Sequence, residues 1–154
     1  MPGTLASITV SAGGVPKLPI AQAEVTATGV AGDRQRNRKI HGGPDRAVSL
    51  LSGELLRELQ AAGHPLSVGS TGENLVIDGL GRDALQPGVR LRIGAHLELE
   101  LTKWLTPCSK IAASFTDRQI AVFDHRCTPD SSRIGARVLQ PGLIRVGDAV
   151  TVLR

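Results

Sequence analysis

The chain is poor in aromatic residues, with two Phe, one Trp and no Tyr among its 154 residues. Proteins that bind single-stranded nucleic acids stack the bases on aromatic side chains. The shortage of rings therefore argues against nucleic-acid binding, even though the net charge of +4 favours anionic partners.

Cysteine is equally scarce, and Cys108 and Cys127 are the only two. A short secreted fold built on disulfides would use more of them. The sequence contains no Cys-x-x-Cys, which argues against a zinc knuckle, a thioredoxin-type site or an iron–sulfur cluster. A disulfide between the two cysteines is disfavoured in a reducing cytoplasm, and we expect Cys127 to be inert.

Long apolar runs are also missing. No stretch approaches the roughly 20 apolar residues of a membrane helix, and the first residues lack the basic and apolar regions of a signal peptide. We therefore expect a cytoplasmic protein that does not bind membranes. The length and the ordinary apolar content of 41% predict one globular domain over residues 1–154.

Many short β-prone runs separated by Gly/Pro turns predict a mainly β protein, either an antiparallel barrel or a sandwich. The clearest hairpin joins 89–93 to 97–101 through the loop Gly94-Ala95-His96. This three-residue loop pairs Ile93 with Leu97, which places aliphatic side chains on one face and opposite charges on the other. We expect a positive φ at His96.

Other local signals predict further elements. Ser52 is a suitable N-cap for a helix that ends at Gly63 and buries Leu55, Leu56, Leu59 and Ala62. The turn signal Gln140-Pro141-Gly142 predicts a second hairpin, between 137–139 and 143–146. Residues 29–45 read as a long loop, which is uncommon inside a compact domain unless it is functional.

Cys108 lies in Thr106-Pro107-Cys108-Ser109-Lys110, which resembles a helix start with Thr106 as the N-cap. The first turn of a helix and a nearby lysine, Lys110, would lower the pKa of a thiol and make it nucleophilic. The Cys108 thiol would also be a suitable ligand for a soft metal such as molybdenum. The alternative is that Cys108 is a small buried apolar residue.

The stretch His41-Gly42-Gly43-Pro44-Asp45-Arg46 has the composition of an anion-binding loop. Paired glycines let backbone N–H groups approach a ligand. Arginine binds phosphate in a planar, bidentate way, and aspartates, here Asp33 and Asp45, hold neighbouring arginines in place. His41 can donate to a ligand or move a proton. The alternative is an ordinary turn with solvated charges.

The third polar cluster is Gly72-Glu73-Asn74, directly before the apolar run Leu75-Val76-Ile77. Glu73 is either a ligand contact or a structural acceptor for loop N–H groups.

The order and intervals of these motifs resemble the MOSC domain, named after the C-terminal domain of molybdenum cofactor sulfurase, and in particular its small stand-alone bacterial members. The resemblance rests on Gly32-Asp33-Arg34, on His41 to Val48, on Gly72-Glu73-Asn74 and on Pro107-Cys108. It implies a MOSC-like β-barrel with a few short helices. It also implies that the molybdenum cofactor (molybdopterin) binds among polar loop residues, with Cys108 as metal ligand or sulfur carrier. Candidate cofactor-binding residues are Asp33, Arg34, Gly42, Gly43, Asp45, Arg46, Glu73, Asn74 and Lys110, and Cys108 and His41 are the candidate catalytic residues.

The resemblance further implies a small-molecule substrate, such as an N-hydroxylated base, and a separate electron-donor protein. Two alternatives stay open. The protein is a non-catalytic carrier of the cofactor or of sulfur, or it is a β-barrel that binds a phosphate-bearing ligand and has a structural Cys108.

Overall fold

The computed structural model describes residues 2–13, 15–33, 44–107 and 109–153. Its strands, in chain order, are β1 (Gly3–Val10), β2 (Leu18–Ile20), β3 (Gln22–Thr26), β4 (Gly29–Val30), β5 (Val48–Ser52), β6 (Leu75–Asp78), β7 (Arg90–Ile93), β8 (Leu97–Leu105), β9 (Arg133–Gln140), β10 (Gly142–Arg145) and β11 (Ala149–Leu153). The α-helix α1 spans Gly53–Ala61. Short 3-10 helices span Pro44–Arg46, Arg82–Ala84, Ser109–Ser114, Thr116–Arg118 and Ile120–Phe123.

Seven of these strands close into a barrel, in the order β11, β7, β8, β9, β5, β6 and β1. Gly3 and Thr4 of β1 pair with Val150 and Ala149 of β11, which completes the ring. Its strand pairs are antiparallel except β5 with β6, which is parallel. The closure decides between the barrel and the sandwich, and it confirms the mainly β fold.

The barrel interior follows the period of two that strands impose on their side chains. Leu91 and Ile93 of β7 and Leu97 and Leu99 of β8 are fully buried in the main apolar core. Ile93 pairs with Leu97, Arg92 with Glu98 and Arg90 with Glu100, so the predicted hairpin register is confirmed. The positive φ belongs to Gly94, at 65°, and the expectation for His96 was wrong. Glycine adopts this conformation at little steric cost, so the turn places it there.

A second apolar layer covers the outer face of β5 and β6. Leu51 and Val76 point outward from these two strands and pack in one cluster with α1 and with the segment after β8. The Ser52 hydroxyl accepts a hydrogen bond from Leu55 N at 3.3 Å, which confirms the predicted N-cap. Leu55, Leu56 and Leu59 are buried as predicted, but Ala62, the C-cap residue of α1, is exposed. The segment after β8 contributes Ile111, Phe115 and Phe123 to this layer.

The second predicted hairpin was wrong in its pairing. β10 pairs with β3, with Ile144 opposite Ala23, and it forms a small sheet with β3 and β4. Val25 and Ile144 are fully buried in the barrel core. Their burial against that core outweighs the local preference for a turn at Pro141.

Within the described part of the chain, no helix has the length and apolar character needed to cross a membrane.

Candidate functional site

The starts of β5 and β6 bring two of the predicted motifs together. Asn74 N donates to the Ser49 carbonyl at 2.9 Å, and Ser49 N donates to Asn74 Oδ1 at 3.1 Å. Asn74 ends the Gly72-Glu73-Asn74 motif, and Ser49 lies three residues after Arg46. The parallel pairing of β5 and β6 therefore places the start of β5, which follows the stretch 41–46 in the sequence, beside the Gly72-Glu73-Asn74 motif at one edge of the barrel.

Asp33 joins the same edge through a buried network. Its carboxylate accepts hydrogen bonds from Ser11 N at 3.0 Å, Asn74 Nδ2 at 2.9 Å and Lys17 Nζ at 2.6 Å. The side chains of Lys17 and Asp33 are only 8% and 4% exposed. The structure thus brings Asp33 and Asn74 together, and it gives Asp33 a lysine partner that the sequence did not indicate.

Glu73 is fully buried and accepts hydrogen bonds from a loop N–H and a hydroxyl. Gly69 N donates to Oε1 at 2.7 Å, and Thr71 Oγ1 donates to Oε2 at 3.0 Å. Burial raises the pKa of the Glu73 carboxyl, although these two hydrogen bonds and the charge of Arg133 act in the opposite direction. In this arrangement Glu73 orders the 69–74 loop, which is the structural role that the sequence left open.

The raised pKa of Glu73 predicts a specific pH dependence of stability. The folded state binds this proton more tightly than the unfolded chain, in which the pKa is near 4.5. The contribution of Glu73 to stability is therefore fully present below that pH and is lost as the pH rises through the higher, folded-state pKa. Glu73→Gln keeps an acceptor for Gly69 N and removes the ionisation. Urea unfolding over a pH series should show the variant gaining stability relative to the wild type across this window. A pH-independent difference would contradict the prediction.

Asp45 lies in the 3-10 turn Pro44–Arg46, next to the bulge of β8 against β9. Thr102 Oγ1 donates to the Asp45 carbonyl and also, at 3.1 Å, to the Gly135 carbonyl. A Cβ on Gly135 would lie 3.3 Å from the Asp45 carbonyl oxygen, so glycine allows this close approach. Arg137 Nη2 donates to Asp45 Oδ1 at 2.6 Å, and this hydrogen bond lowers the pKa of Asp45.

In the described part of the chain, both aspartates pair with cations that are not their sequence neighbours, and the expectation that they also hold neighbouring arginines stays a prediction. Asp33 holds Lys17, and Asp45 holds the distant Arg137. Arg46, the arginine of the motif at residues 41–46, is half-buried, and its Cγ lies 3.6 Å from the position of a Cβ on Gly135.

The segment before Cys108 is linked to the 69–74 loop by Arg133. Arg133 Nη1 donates to the Thr71 carbonyl at 2.8 Å, and Arg133 Nη2 lies 3.4 Å from the Thr106 carbonyl. On the far side of Cys108, Ser114 Oγ hydrogen bonds with Ser70 Oγ at 2.9 Å. Residues on both sides of Cys108 are thus linked to the 69–74 loop, which contains Glu73: Thr106 through Arg133, and Ser114 directly.

The predicted helix start at Thr106 was wrong, because the structure begins a 3-10 helix at Ser109. Lys110, in its first turn, is exposed, and Pro107 is buried. Cys127 is exposed and its thiol is free. Cys108, Arg34, His41, Gly42 and Gly43 lie outside the described residues, so their expected roles stay predictions.

The carboxyl groups of Asp33, Asp45 and Glu73 leave little uncompensated negative charge at this edge. Asp33 is paired with Lys17, Asp45 is paired with Arg137, and burial favours the neutral form of Glu73. Each of these carboxyl groups is therefore compensated or favours its uncharged state. Of the predicted cationic residues, Lys110 is exposed and Arg46 is half-buried. Among the described residues, no cluster of three His, Cys, Asp or Glu side chains could hold a bare metal ion.

The sequence model of the MOSC domain matches residues 37–151. The chain belongs to the MOSC domain family. This family is associated with binding of the molybdenum cofactor. The match confirms the resemblance drawn from the motifs.

Individual relatives agree in sequence and in fold. Protein YiiM of Escherichia coli (strain K12) is 33% identical over 101 residues, which is 63% of this chain and only 45% of YiiM. The crystal structure of Escherichia coli YiiM has a TM-score of 0.73 at 21% identity, covering all of this chain and 70% of that one. YuaD of Bacillus subtilis has a TM-score of 0.73 at 16% identity, over 97% of this chain and 94% of that one. YiiM of Geobacillus stearothermophilus has a TM-score of 0.70 at 24% identity, over 99% and 76% respectively.

Sequence reasoning missed three residues at this edge of the barrel: Lys17, Arg133 and Arg137. Their partners are 16, 62 and 92 positions away in the chain, so no local spacing indicates the contacts. Period-two alternation beside the buried Ile134 and Ala136 does place Arg133 and Arg137 outside the barrel. That pattern shows which face they occupy but not what they contact.

Proposed function

We propose that this chain binds the molybdenum cofactor at the barrel edge formed by the starts of β5 and β6, with Cys108 as metal ligand or sulfur carrier. We further propose that, with electrons from a separate donor protein, it reduces N-hydroxylated bases or related N-oxygenated small molecules. The chain covers less than half of YiiM in the sequence match, so activity, substrate and donor are all part of the proposal.

One observation supports this proposal above the others. The stretches that flank residues 34–43 and Cys108 meet in one hydrogen-bonded cluster, through Asp33–Asn74 on one side and Thr71–Arg133–Thr106 on the other. Residues from distant parts of the sequence, which resemble the MOSC motifs, thus surround one edge of the fold.

The residues present fit an anionic, phosphate-bearing group. Arg46 and Lys110, together with Arg34 and the Gly42-Gly43 backbone, would bind the phosphate, since guanidinium groups and free N–H groups are its usual partners. Cys108 would contribute a soft thiolate, and His41 would hold or deliver a proton to the substrate nitrogen or oxygen. When bound, the cofactor would supply the redox chemistry for reduction of an N–O bond, with electrons from the donor protein.

Asp33, Asn74 and Glu73 would act by holding the loops. Their polar atoms are already engaged by Lys17, Ser49 and Gly69. In this proposal they order the backbone that presents the phosphate-binding groups, and they contact the cofactor less directly than the cationic residues do.

The proposal is tested by purifying the protein from a host that makes the cofactor and from one that does not. We expect molybdenum by metal analysis and pterin by fluorescence only in the first preparation. We also expect that this preparation alone reduces 6-hydroxylaminopurine with an artificial electron donor. Absence of both metal and pterin would contradict cofactor binding. A loaded protein without turnover would contradict the reductase and support a non-catalytic carrier.

A further inference from the structure

The C-terminal end of α1 is joined to the segment after β8 by two hydrogen bonds. Thr116 N donates to His64 Nδ1 at 3.1 Å, and Thr116 Oγ1 donates to the Gly63 carbonyl at 2.9 Å. The His64 ring also packs edge-on against the buried Phe115 ring, with the two ring centres 5.6 Å apart. Residues 63 and 64 thus hold this segment against the end of the helix.

The hydrogen bond from Thr116 N defines the protonation state of His64. A backbone amide is always a donor, so Nδ1 accepts with its lone pair, and the ring is neutral with its proton on Nε2. An imidazolium ring carries protons on both nitrogens and has no acceptor. Protonation of His64 would therefore turn Nδ1 from an acceptor into a second donor facing the Thr116 N–H.

The turn that this contact holds has a strained backbone. Asp117 and Arg118 have positive φ angles, 54° and 58°, although neither is glycine. Other residues adopt this left-handed conformation at an energetic cost, and they keep it where the surrounding contacts impose it. Loss of the contact at Thr116 would let both residues relax, so the strain favours release of the turn.

We propose that His64 is a pH-sensitive contact, which holds residues 115–118 against α1 at neutral pH and releases them as the pH falls. The attached form has no place for a proton on Nδ1, whereas the released ring binds one, so acid favours release. Histidine is the side chain whose ordinary titration lies between pH 5 and 8. The segment is also joined to the 69–74 loop by the hydrogen bond between Ser114 and Ser70, so its release would reach the candidate site.

The charged groups beside His64 do not titrate in this range. The charged side chains of the elements packed against His64 are Arg57 and Glu58 of α1 and Asp117 and Arg118 of the turn. Carboxyl groups ordinarily titrate near pH 4, and guanidinium groups stay charged throughout. A response between pH 5 and 8 therefore points to a histidine.

Two further ionisable groups lie in the same region, and neither produces this effect. Burial raises the pKa of Glu73, so its contribution to stability is lost as the pH rises, which is the opposite direction. His125 lies farther along the segment, where its ring stacks on Trp104 with the ring centres 6.1 Å apart. It is unchanged in a His64 variant, so the difference between that variant and the wild type isolates His64.

The test is hydrogen–deuterium exchange of the whole chain without cofactor, read by mass spectrometry of peptides that contain Thr116. Protection is the intrinsic exchange rate at each pH divided by the measured rate. We expect wild-type protection to fall about tenfold between pH 7.5 and pH 5.5, because one linked proton changes an opening equilibrium by at most tenfold per pH unit. His64→Asn keeps a side-chain acceptor and does not ionise, so its protection should change less than about twofold.

His96→Asn is the matched control, because His96 is exposed in the loop between β7 and β8. It should show the same fall as the wild type, and loss of the fall in this control would overturn the proposal. Constant protection in the wild type would overturn it, and so would an equal fall in the wild type and the His64→Asn variant. If His64→Asn does not fold, His64→Ala replaces it. That variant has no acceptor, so its protection should be low at both pH values, and a fall equal to that of the wild type would overturn the proposal.

This role of His64 goes beyond the proposed function and does not depend on it. Exchange is measured on protein from the host without the cofactor. A wild type that fails to bind molybdenum therefore contradicts the proposed function alone, and unchanged exchange at Thr116 contradicts the role of His64 alone.

Discussion

A protein in which alanine replaces Cys108 is expected to retain at most about a tenth of the molybdenum that the wild type carries. Loss of groups that merely support a metal ligand typically costs 10–100-fold in metal affinity, and loss of a direct ligand should cost at least as much. Metal analysis and pterin fluorescence of protein purified from a cofactor-producing host measure the effect.

Cys127→Ala is the matched control, because Cys127 is exposed and free. It should keep the wild-type metal content. Equal molybdenum in the Cys108→Ala variant and the wild type would exclude the thiol as a ligand. The sulfur-carrier role has its own readout: cyanide should release thiocyanate from a persulfide on the wild type and none from the Cys108→Ala variant. Equal release from both would exclude that role too.

Replacing Lys17 with methionine is expected to destabilise the fold by about 3–5 kcal/mol. Methionine keeps the apolar stem but leaves Asp33 as an uncompensated charge in a site where its side chain is 4% exposed. Such a loss is a large part of the total stability of an ordinary domain. Chemical unfolding of apo protein measures it directly.

Two further variants make this prediction specific. Arg92→Met removes a cation from an exposed ion pair and should cost less than about 1 kcal/mol. Adding Asp33→Asn to Lys17→Met should recover part of the lost stability, because it removes the unpaired charge and keeps an acceptor for Ser11 N. Similar costs for Lys17→Met and Arg92→Met would show that the buried pair does not hold the structure at Asp33.

Local rules predicted much of the barrel. The hairpin register of β7 and β8 follows from the alternation of Leu91 and Ile93 with Arg90 and Arg92, and no other register keeps both faces consistent. The N-cap at Ser52 depends on a contact three residues along the chain, so it too is visible in the sequence.

Longer-range choices were not visible. The turn at Pro141 suggested that β10 folds back on β9, but pairing with β3 buries Ile144 in the barrel core. The helix expected at Thr106 gives way to a 3-10 helix whose Ile111 packs with Phe115 and Phe123 on the outer layer. In both cases, packing between residues that are distant in the sequence determines the local structure. The neighbouring residues in the sequence do not indicate this packing.

The candidate site was predicted through its motifs rather than through its contacts. The motifs that contain Asp33, Asn74 and Cys108 identify the protein family. The structure shows that the residues in and beside these motifs are linked by hydrogen bonds. Lys17, Arg133 and Arg137, which hold these segments together, are distant from them in the sequence. A single cationic residue at such a position shows no pattern that reveals its partner.

The pairing of β1 with β11 has a consequence for how the protein is made. The ring cannot close until residues near 150 have left the ribosome, although β1 lies more than 140 residues earlier in the chain. During translation, β1 and β7 each keep an unpaired edge until β11 has been synthesised. Unpaired strand edges are prone to pair with other chains. Slow synthesis of β11 should therefore make nascent chains more prone to aggregate. Chaperones that cover strand edges should raise the yield of native protein.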